Sequence, residues 1–383
     1  MQIIQAVFGT FHHFELAREL NSRGHLKKIY STFPWKRLAR EGVPREKVGM
    51  FPWLHTPLTL LGRYGCKPRW LEDELGYFNA LAFDDWLAGR VLECDAFIAI
   101  SGAGLKTGRL VQQRGGKFIC DRGSTHTRYQ DQVVSEEFRR WGVELQPNDE
   151  RDNVREEAIY EQADAITVPS SFVRQTFIDM GIPGEKVKTI PYGVRLENFF
   201  PVALPPEDAF EVLFVGSVSL RKGVPYLLQA FAQIRHPRKR LRVVGALHDS
   251  VKVALSRLPL EQVELLGAVD QQRVRQLMST SHVLVLPSIE EGLALVQGQA
   301  LACGCPVIAT PNAGAEDLFA DGVEGFIVPV RSVDALTQRM QQLADDPLLQ
   351  KEMSRAALAR VQKIGGWAEY GRQWEDYLKK MLA

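Results

Sequence analysis

The chain has 383 residues, 45% hydrophobic and 24% charged, with 47 basic against 46 acidic side chains for a formal net charge of +1. At ~100–200 residues per domain this length makes two or three domains, each able to bury a core without disulfide or metal staples. The even charge balance argues against a bulk-electrostatic nucleic-acid binder, and the apolar content argues against a disordered chain.

The five cysteines, Cys66, Cys94, Cys120, Cys303 and Cys305, form no C-x-x-C pair. Neither a zinc site nor a disulfide scaffold is expected, and a reducing compartment fits. Residues 2–8 read as a buried strand and not as a signal peptide. The longest apolar runs, such as 283–286, are strand-sized, well short of the ~20 residues of a spanning helix. A cytoplasmic protein is the expectation.

In chain order, the opening strand leads through Gly9 into a helix over about 13–22. Its apolar Phe14, Ala17 and Leu20 fall three apart, and Gly24 ends it. Residues 27–53 carry Lys27, Lys28, Lys36, Arg37, Arg40, Arg45 and Lys47 among Trp35, Phe51 and Trp53, opposed only by Glu41 and Glu46. Such a patch is either a solvated face or a docking surface for anionic membrane. Failure to bind anionic vesicles at low salt would dispose of the second reading. Strands at 97–100 and 117–119 each run into a turn. The first turn is Ser101, Gly102, Ala103 and Gly104; the second is Cys120, Asp121, Arg122, Gly123, Ser124, Thr125 and His126.

A Pro-rich stretch at 199–206 can be neither helix interior nor central strand, which places a linker at about 196–210. A second strand–glycine–helix start follows, with a strand at 212–215, Gly216, and a helix after Gly223. Strands at 241–244, 283–286 and 306–309 alternate with amphipathic helices. This alternation predicts an α/β chain of doubly wound parallel sheets. The domains are then 1–195 and 211–365. The chain closes on a helix over about 366–382, with Trp367, Tyr370, Trp374 and Tyr377 on one face.

The turn Gly216, Ser217, Val218, Ser219, Leu220, Arg221, Lys222, Gly223 joins a strand to a helix. Backbone N–H groups and the helix N-terminus there converge on one point, which suits an anion, and Arg221 and Lys222 add charge. A solvated basic loop is the alternative. Neither glycine turn spells G-x-G-x-x-G or a P-loop, and no Asp-x-Asp pair follows a strand to hold a metal-bound diphosphate.

Residues 282–329 are the most informative. A strand ends in Pro287 and Ser288. A turn carries Glu290, Glu291 and Gly292, a helix starts near Leu293, and Gly304 and Pro306 lead into the next strand. A second turn follows with Asn312, Gly314, Glu316 and Asp317. This segment resembles the donor-binding core of glycosyltransferase family 4, whose pattern is P-S-x-x-E-G-F-G, then E-A-x-A-x-G-x-P-V-I, then G-x-x-E. Arg221–Lys222–Gly223, residues 163–170, residues 190–194 with Asn198 and Phe199, and residues 321–326 resemble further motifs of the family in the same order.

The resemblance implies a GT-B fold, two Rossmann-like domains facing a cleft, with the acceptor in the first, the donor in the second, and the last helix crossing back to the first. It implies a retaining hexosyltransferase that moves a sugar from a nucleotide diphosphate-sugar to a glycan or lipid-linked acceptor hydroxyl, in polysaccharide or glycolipid synthesis, without a metal. Glu291 and Lys222 carry the reaction in this reading, with His126 from the first domain and Asp121 and Arg122 as its rivals. Gly216, Ser217, Arg221, Val269, Gly292, Leu293, Ala294, Gln299 and Glu316 line the donor. Gly9, His12 and His13 join Asp121 and Arg122 on the acceptor side. Two positions depart from the family. Gln299 stands where the second motif Glu hydrogen-bonds the ribose, and Ser217 stands where many relatives carry Arg. Both bear on donor affinity and identity. They also motivate a catalytically silent nucleotide binder as the alternative, beside a sugar-nucleotide epimerase on the same architecture.

Overall fold

The computed structural model describes residues 1–57, 69–91, 93–145 and 148–383, without the side chains of residues 69, 70 and 72. Cys66 lies outside the described residues.

Two parallel sheets follow one another along the chain. The first contains β1 (Ile3–Val7), β2 (Leu26–Ser31), β3 (Val48–Met50), β4 (Ala96–Ile100), β5 (Lys117–Asp121), β6 (Ala165–Val168) and β7 (Val187–Thr189), in the order β3-β2-β1-β4-β5-β6-β7. The second contains β8 (Phe210–Val215), β9 (Lys239–Val244), β10 (Val263–Gly267), β11 (Val283–Leu286), β12 (Val307–Ala309) and β13 (Gly325–Ile327), in the order β10-β9-β8-β11-β12-β13. Every residue of β1, β8 and β11 is buried, as expected of strands covered by helices on both faces. The GT-B class read from the sequence is the class observed.

The strand order reverses between β1 and β4 in one sheet and between β8 and β11 in the other. Ile3 to Ala6 pair with Ala96 to Ala99, and Val212 and Leu213 with Val283 and Leu284. At such reversals the loops leave the strand ends on opposite sides and open a crevice for ligands. The two crevices face each other, and the halves touch across them. Ser170 Oγ donates to the Gly292 carbonyl at 2.7 Å, and Ser171 donates to Asp317 through both its backbone N–H and its hydroxyl at 2.8 Å. A Cβ on Gly292 would run into the Gly123 carbonyl, so the halves meet main chain to main chain.

A buried carboxylate reinforces this closure. Glu137, at the end of the helix Thr127–Arg140, accepts from Trp141 Nε1 at 2.9 Å, Tyr226 Oη at 2.8 Å and Arg331 Nε at 2.7 Å. Two of these three donors belong to the opposite half.

The closing helix Trp367–Leu382 packs on the helix His13–Ser22. Gly371 lies against Glu19, and Glu375 pairs with both Arg23 and His25. Trp374 is fully buried, and Tyr192 packs against Trp367 and Tyr370. No described helix is long and apolar enough to cross a membrane.

Candidate functional site

Gly216 to Gly223 connects β8 to the helix Val224–Ala232. Gly223 caps that helix at φ +67°, where a side chain would strain the backbone and its Cβ would meet the Pro287 carbonyl. That close approach brings the basic turn against the end of β11 and its acidic turn. Arg221 supplies the carbonyl that the Ile289 N–H reaches at 2.9 Å. Lys222 Nζ is thereby in contact with the Glu291 carboxylate, both side chains being mostly buried. Burial and the neighbouring Arg221 push the Lys222 ammonium down to about 7, against the pull of Glu290.

Next to this pair the Glu290 carboxylate is fully buried and reaches across the cleft. It accepts from Arg221 Nη1 at 2.9 Å on its own side. From the other half it accepts from Ser124 Oγ at 2.8 Å, Thr125 Oγ1 at 2.8 Å and Gln130 Nε2 at 3.1 Å. Burial alone would raise this carboxyl, but Arg221 and the two hydroxyls hold it down to about 2. Sequence reading quoted Glu290 as a turn residue and gave it no role. Its partners in the other half lie 160 to 166 positions earlier and Arg221 lies 69 earlier, and no local pattern connects them.

The helix after this turn runs Leu295–Ala302, starting two residues later than expected. The N–H groups of Glu291, Gly292 and Leu293 have no backbone acceptor among the described residues, whereas Ala294 N–H reaches the Ala313 carbonyl at 3.1 Å. Three consecutive N–H groups ahead of a helix, beside Lys222, make a concavity suited to an anion. The side chains of Leu293 and Ala294 are buried in the core, so only their backbone is offered to a ligand. Gln299 lies half-buried on the same helix, with no side-chain hydrogen bond among the described residues. Gly216 is half-buried, Ser217 exposed, and Val269, just past β10, half-buried. Glu316 is exposed in the turn Ala315–Asp317, and its neighbour Asp317 makes the contact with Ser171.

On the facing side, Gly9 ends the β1 turn at φ +72°, and its N–H donates to Thr32 Oγ1 at 2.9 Å. His12 and His13 start the following helix and converge on Asp121 at the end of β5. His12 Nε2 lies 2.7 Å and His13 Nε2 3.2 Å from Asp121 Oδ2, while Thr167 Oγ1 donates to Oδ1 at 2.8 Å. Burial opposes ionisation of Asp121, but His12, His13 and Thr167 overcome it and hold the carboxyl below its usual range. Burial drives the His13 imidazole down to about 3, so His13 is neutral at physiological pH. The ligand atoms of His12, His13 and Asp121 lie within 4.8 Å of one another, a donor set that also suits a cation. Within the set only His12 is hydrogen-bonded to Asp121, and both ring nitrogens of the buried His13 lack a hydrogen-bond partner among the described residues.

His126 has a different place from the one expected of a reacting group. Its Nδ1 accepts from the Arg128 N–H at 3.2 Å, capping the helix Thr127–Arg140, and its ring packs against Tyr160 and Phe177. Burial lowers it to about 4. Of the first-half histidines singled out from the sequence, His12 and His13 meet Asp121, and His126 does not. Arg122 pairs with Glu156 at 2.6 Å and donates to Gln130 Oε1 at 3.2 Å. In the basic 27–53 segment several cations are spent internally. Lys27 donates to the Glu93 carbonyl, Lys47 to the Leu26 carbonyl and Arg45 to the Val48 carbonyl, and Arg37 stacks over Phe33.

Residues 10–198 match the model of Glycosyltransferase Family 4, and residues 196–360 match that of Glycosyl transferases group 1. Among curated proteins, a D-inositol 3-phosphate glycosyltransferase of Streptomyces avermitilis is 26% identical over 90% of this chain and 72% of its own length. An alpha-maltose-1-phosphate synthase of Mycobacterium tuberculosis is 25% identical over 58% of this chain and 64% of its own. Among solved structures, sucrose-phosphate synthase from Thermosynechococcus elongatus superposes with a TM-score of 0.71 at 22% identity, covering 100% of this chain and 99% of its own. Anabaena HepE in complex with UDP and glucose superposes with a TM-score of 0.70 at 18% identity, covering 99% and 100%. With two family models meeting end to end at the linker and the GT-B architecture around one cleft, the chain belongs to the family 4 glycosyltransferases, enzymes that use a nucleotide-sugar donor.

Proposed function

We propose that the protein is a retaining, metal-independent hexosyltransferase acting on a glycan or lipid-linked acceptor, with the donor diphosphate held in the second half. The observation that carries this reading is the meeting of Lys222 with Glu291 beside the N–H groups of residues 291–293, which have no backbone acceptor among the described residues. Lys222 and Arg221 take the charge of the departing diphosphate, joined by these N–H groups, which cost no reorganisation as charge develops. Glu291 orients donor hydroxyls and steadies positive charge at the anomeric carbon. Gln299 reaches the ribose with one acceptor oxygen and two N–H donors instead of a carboxylate.

In the transfer, the acceptor oxygen bonds to the anomeric carbon. The bond from that carbon to the diphosphate oxygen breaks, its electron pair leaves with the diphosphate, and the acceptor proton passes to that departing oxygen. His12, held by Asp121, stands on the facing wall and positions the sugar.

The test is a transfer assay with labelled uridine, guanosine and adenosine diphosphate-hexoses in EDTA. One donor should release its nucleoside diphosphate at an undiminished rate, with the sugar recovered as the α-configured product of an α-linked donor. Activity lost in EDTA and restored by zinc would instead assign a cation to His12, His13 and Asp121. Turnover to the epimeric nucleotide-sugar would refute transfer.

A further inference from the structure

The chain crosses between its halves twice, after β7 and again just before the closing helix, and the two crossings run side by side. Val194 bridges to Gly366. A Cβ on Gly193 would come within 2.6 Å of the Gly366 carbonyl and the Trp367 nitrogen, so the two segments meet main chain to main chain. Val194 also lies against Gly298, the residue before Gln299 on the helix Leu295–Ala302.

Tyr192 leaves this junction for the first half and is buried there. Its ring packs on His12 with centroids 4.5 Å apart, and it is backed by Trp367 at 6.3 Å and Tyr370 at 5.9 Å. A Cβ on Gly123 would stand 2.9 Å from Tyr192 Oη and 3.5 Å from His12 Cε1. Both rings therefore lie beneath the loop whose carbonyl meets Gly292 across the cleft. Tyr192 Oη has no hydrogen-bond partner among the described residues, so the ring and not the hydroxyl makes the contact.

The His12 imidazole has three neighbours that fix it. Asp121 holds Nε2 at 2.7 Å, the His13 ring lies 4.8 Å away, and Tyr192 lies 4.5 Å away. The Asp121 carboxyl is held below its usual range. It is therefore ionised and can only accept, which puts the proton on His12 Nε2 and leaves Nδ1 as an acceptor. One hydrogen bond pins a ring nitrogen but leaves the tilt of the ring soft, because the torsion to a planar side chain has a broad minimum. Tyr192 is the neighbour that comes from the junction; Asp121 and His13 belong to β5 and the helix His13–Ser22.

We propose that Tyr192 is a positioning residue for the transfer: it fixes the tilt of His12 against Asp121, so that Nδ1 accepts a hydroxyl of the transferred sugar, and it does so only while the two crossings and the closing helix are packed. The inference rests on the glycosyl-transfer reading above, in which His12 positions the sugar. It makes Trp367 and Tyr370, through Tyr192, part of what sets the facing wall of the cleft.

The experiment measures kcat and donor KM for the full-length protein, with the donor found in the transfer assay. Tyr192→Phe, Tyr192→Leu, His12→Gln and the double variant Tyr192→Leu/His12→Gln are compared at a temperature where melting curves show all of them folded. Tyr192→Phe should match wild type. Tyr192→Leu should lower kcat by about tenfold or more, since misplacing a group by ~1 Å can cost ~10²-fold. Its donor KM should change little, because the diphosphate is held by the other half. The double variant should be no slower than His12→Gln alone, because a residue acting through His12 then has nothing to act on. A merely structural contact would lower kcat by the same factor in both backgrounds, and that result overturns the proposal. Full activity in Tyr192→Leu overturns it as well, and so does a Tyr192→Phe as impaired as Tyr192→Leu, which would give the role to the hydroxyl. If wild type turns over no nucleotide-sugar, the transfer reading fails by itself. Nitrogen NMR of ¹⁵N-histidine protein at pH 8 then decides the positioning, with the His12 signals identified by their loss in His12→Gln. An Nε2–H tautomer present in wild type and Tyr192→Phe and lost in Tyr192→Leu supports it; the same tautomer in all three, or none in wild type, refutes it.

Discussion

Lys222→Ala should lower turnover by roughly 10²–10³-fold, the usual loss on removing one group that stabilises developing negative charge, while the protein stays folded. Burial disfavours the ammonium, to about 7, but its removal leaves the mostly buried Glu291 carboxylate without its ion-pair partner. A lower denaturant midpoint is therefore expected as well, and turnover is compared where both proteins are folded. The same value sets a pH signature. Only the charged form draws a diphosphate. Donor affinity should therefore be greatest below pH 7 and fall as pH rises through 7, with protons taken up on binding near neutrality. Calorimetry of donor or nucleoside diphosphate binding from pH 6 to 9, in two buffers of different ionisation enthalpy, reads both effects. Lys222→Arg should flatten the profile, because a guanidinium stays charged throughout. A wild-type profile already flat across neutrality would remove Lys222 from the phosphate site.

Glu290→Ala should damage the molecule in a second way, through its shape. The substitution leaves Ser124, Thr125 and Gln130 of one half and Arg221 of the other without their shared acceptor. Breaking a buried ion pair costs ~3–5 kcal/mol. The Arg221 side chain keeps 36% of its exposure and remains partly hydrated, so a loss of about 3 kcal/mol is expected, read as a lower denaturant midpoint. Glu290→Gln, which keeps the volume and one acceptor, should lose less. In both, small-angle scattering should report a larger radius of gyration, and turnover should fall with the populated opening. The carboxyl is held at about 2 in the folded protein, below the ~4.3 of an unfolded chain. Its contribution is thus present above pH 4.3 and lost as pH falls from there toward 2. An unchanged radius with unchanged stability would show that Glu290 is not the clasp.

The sequence announced its frame through hydrophobic runs and glycines. The strand at 283–286 and the helix at 13–22 are seen with the expected bounds, because both are decided locally, by β-branched burial in one case and a three-apart apolar stripe ended by glycine in the other. The contact between Lys222 and Glu291 was legible only through the resemblance, since 69 positions separate them and the fold alone brings them together. Glu290 and Glu137 could not be read at all. A buried carboxylate is specified by donors from the other half, and charge content says nothing about which acidic residue is inside. His126 misled for a related reason. A histidine after a strand suits a reacting group, but the same imidazole accepts equally well from the N–H two residues ahead when a helix begins there, and in this chain one does.

The packing of Trp367–Leu382 on His13–Ser22 has a consequence for synthesis. The first half of the chain emerges from the ribosome first, yet its surface around Tyr192 and Glu19 stays uncovered until the final helix is made. The second half, whose last strand ends at Ile327, can close its sheet before that. Domains ordinarily fold from the N-terminus onward during synthesis. Here completion runs the other way, with the half made first finished last, and a fragment ending at the linker would expose the aromatic seam that the last helix covers.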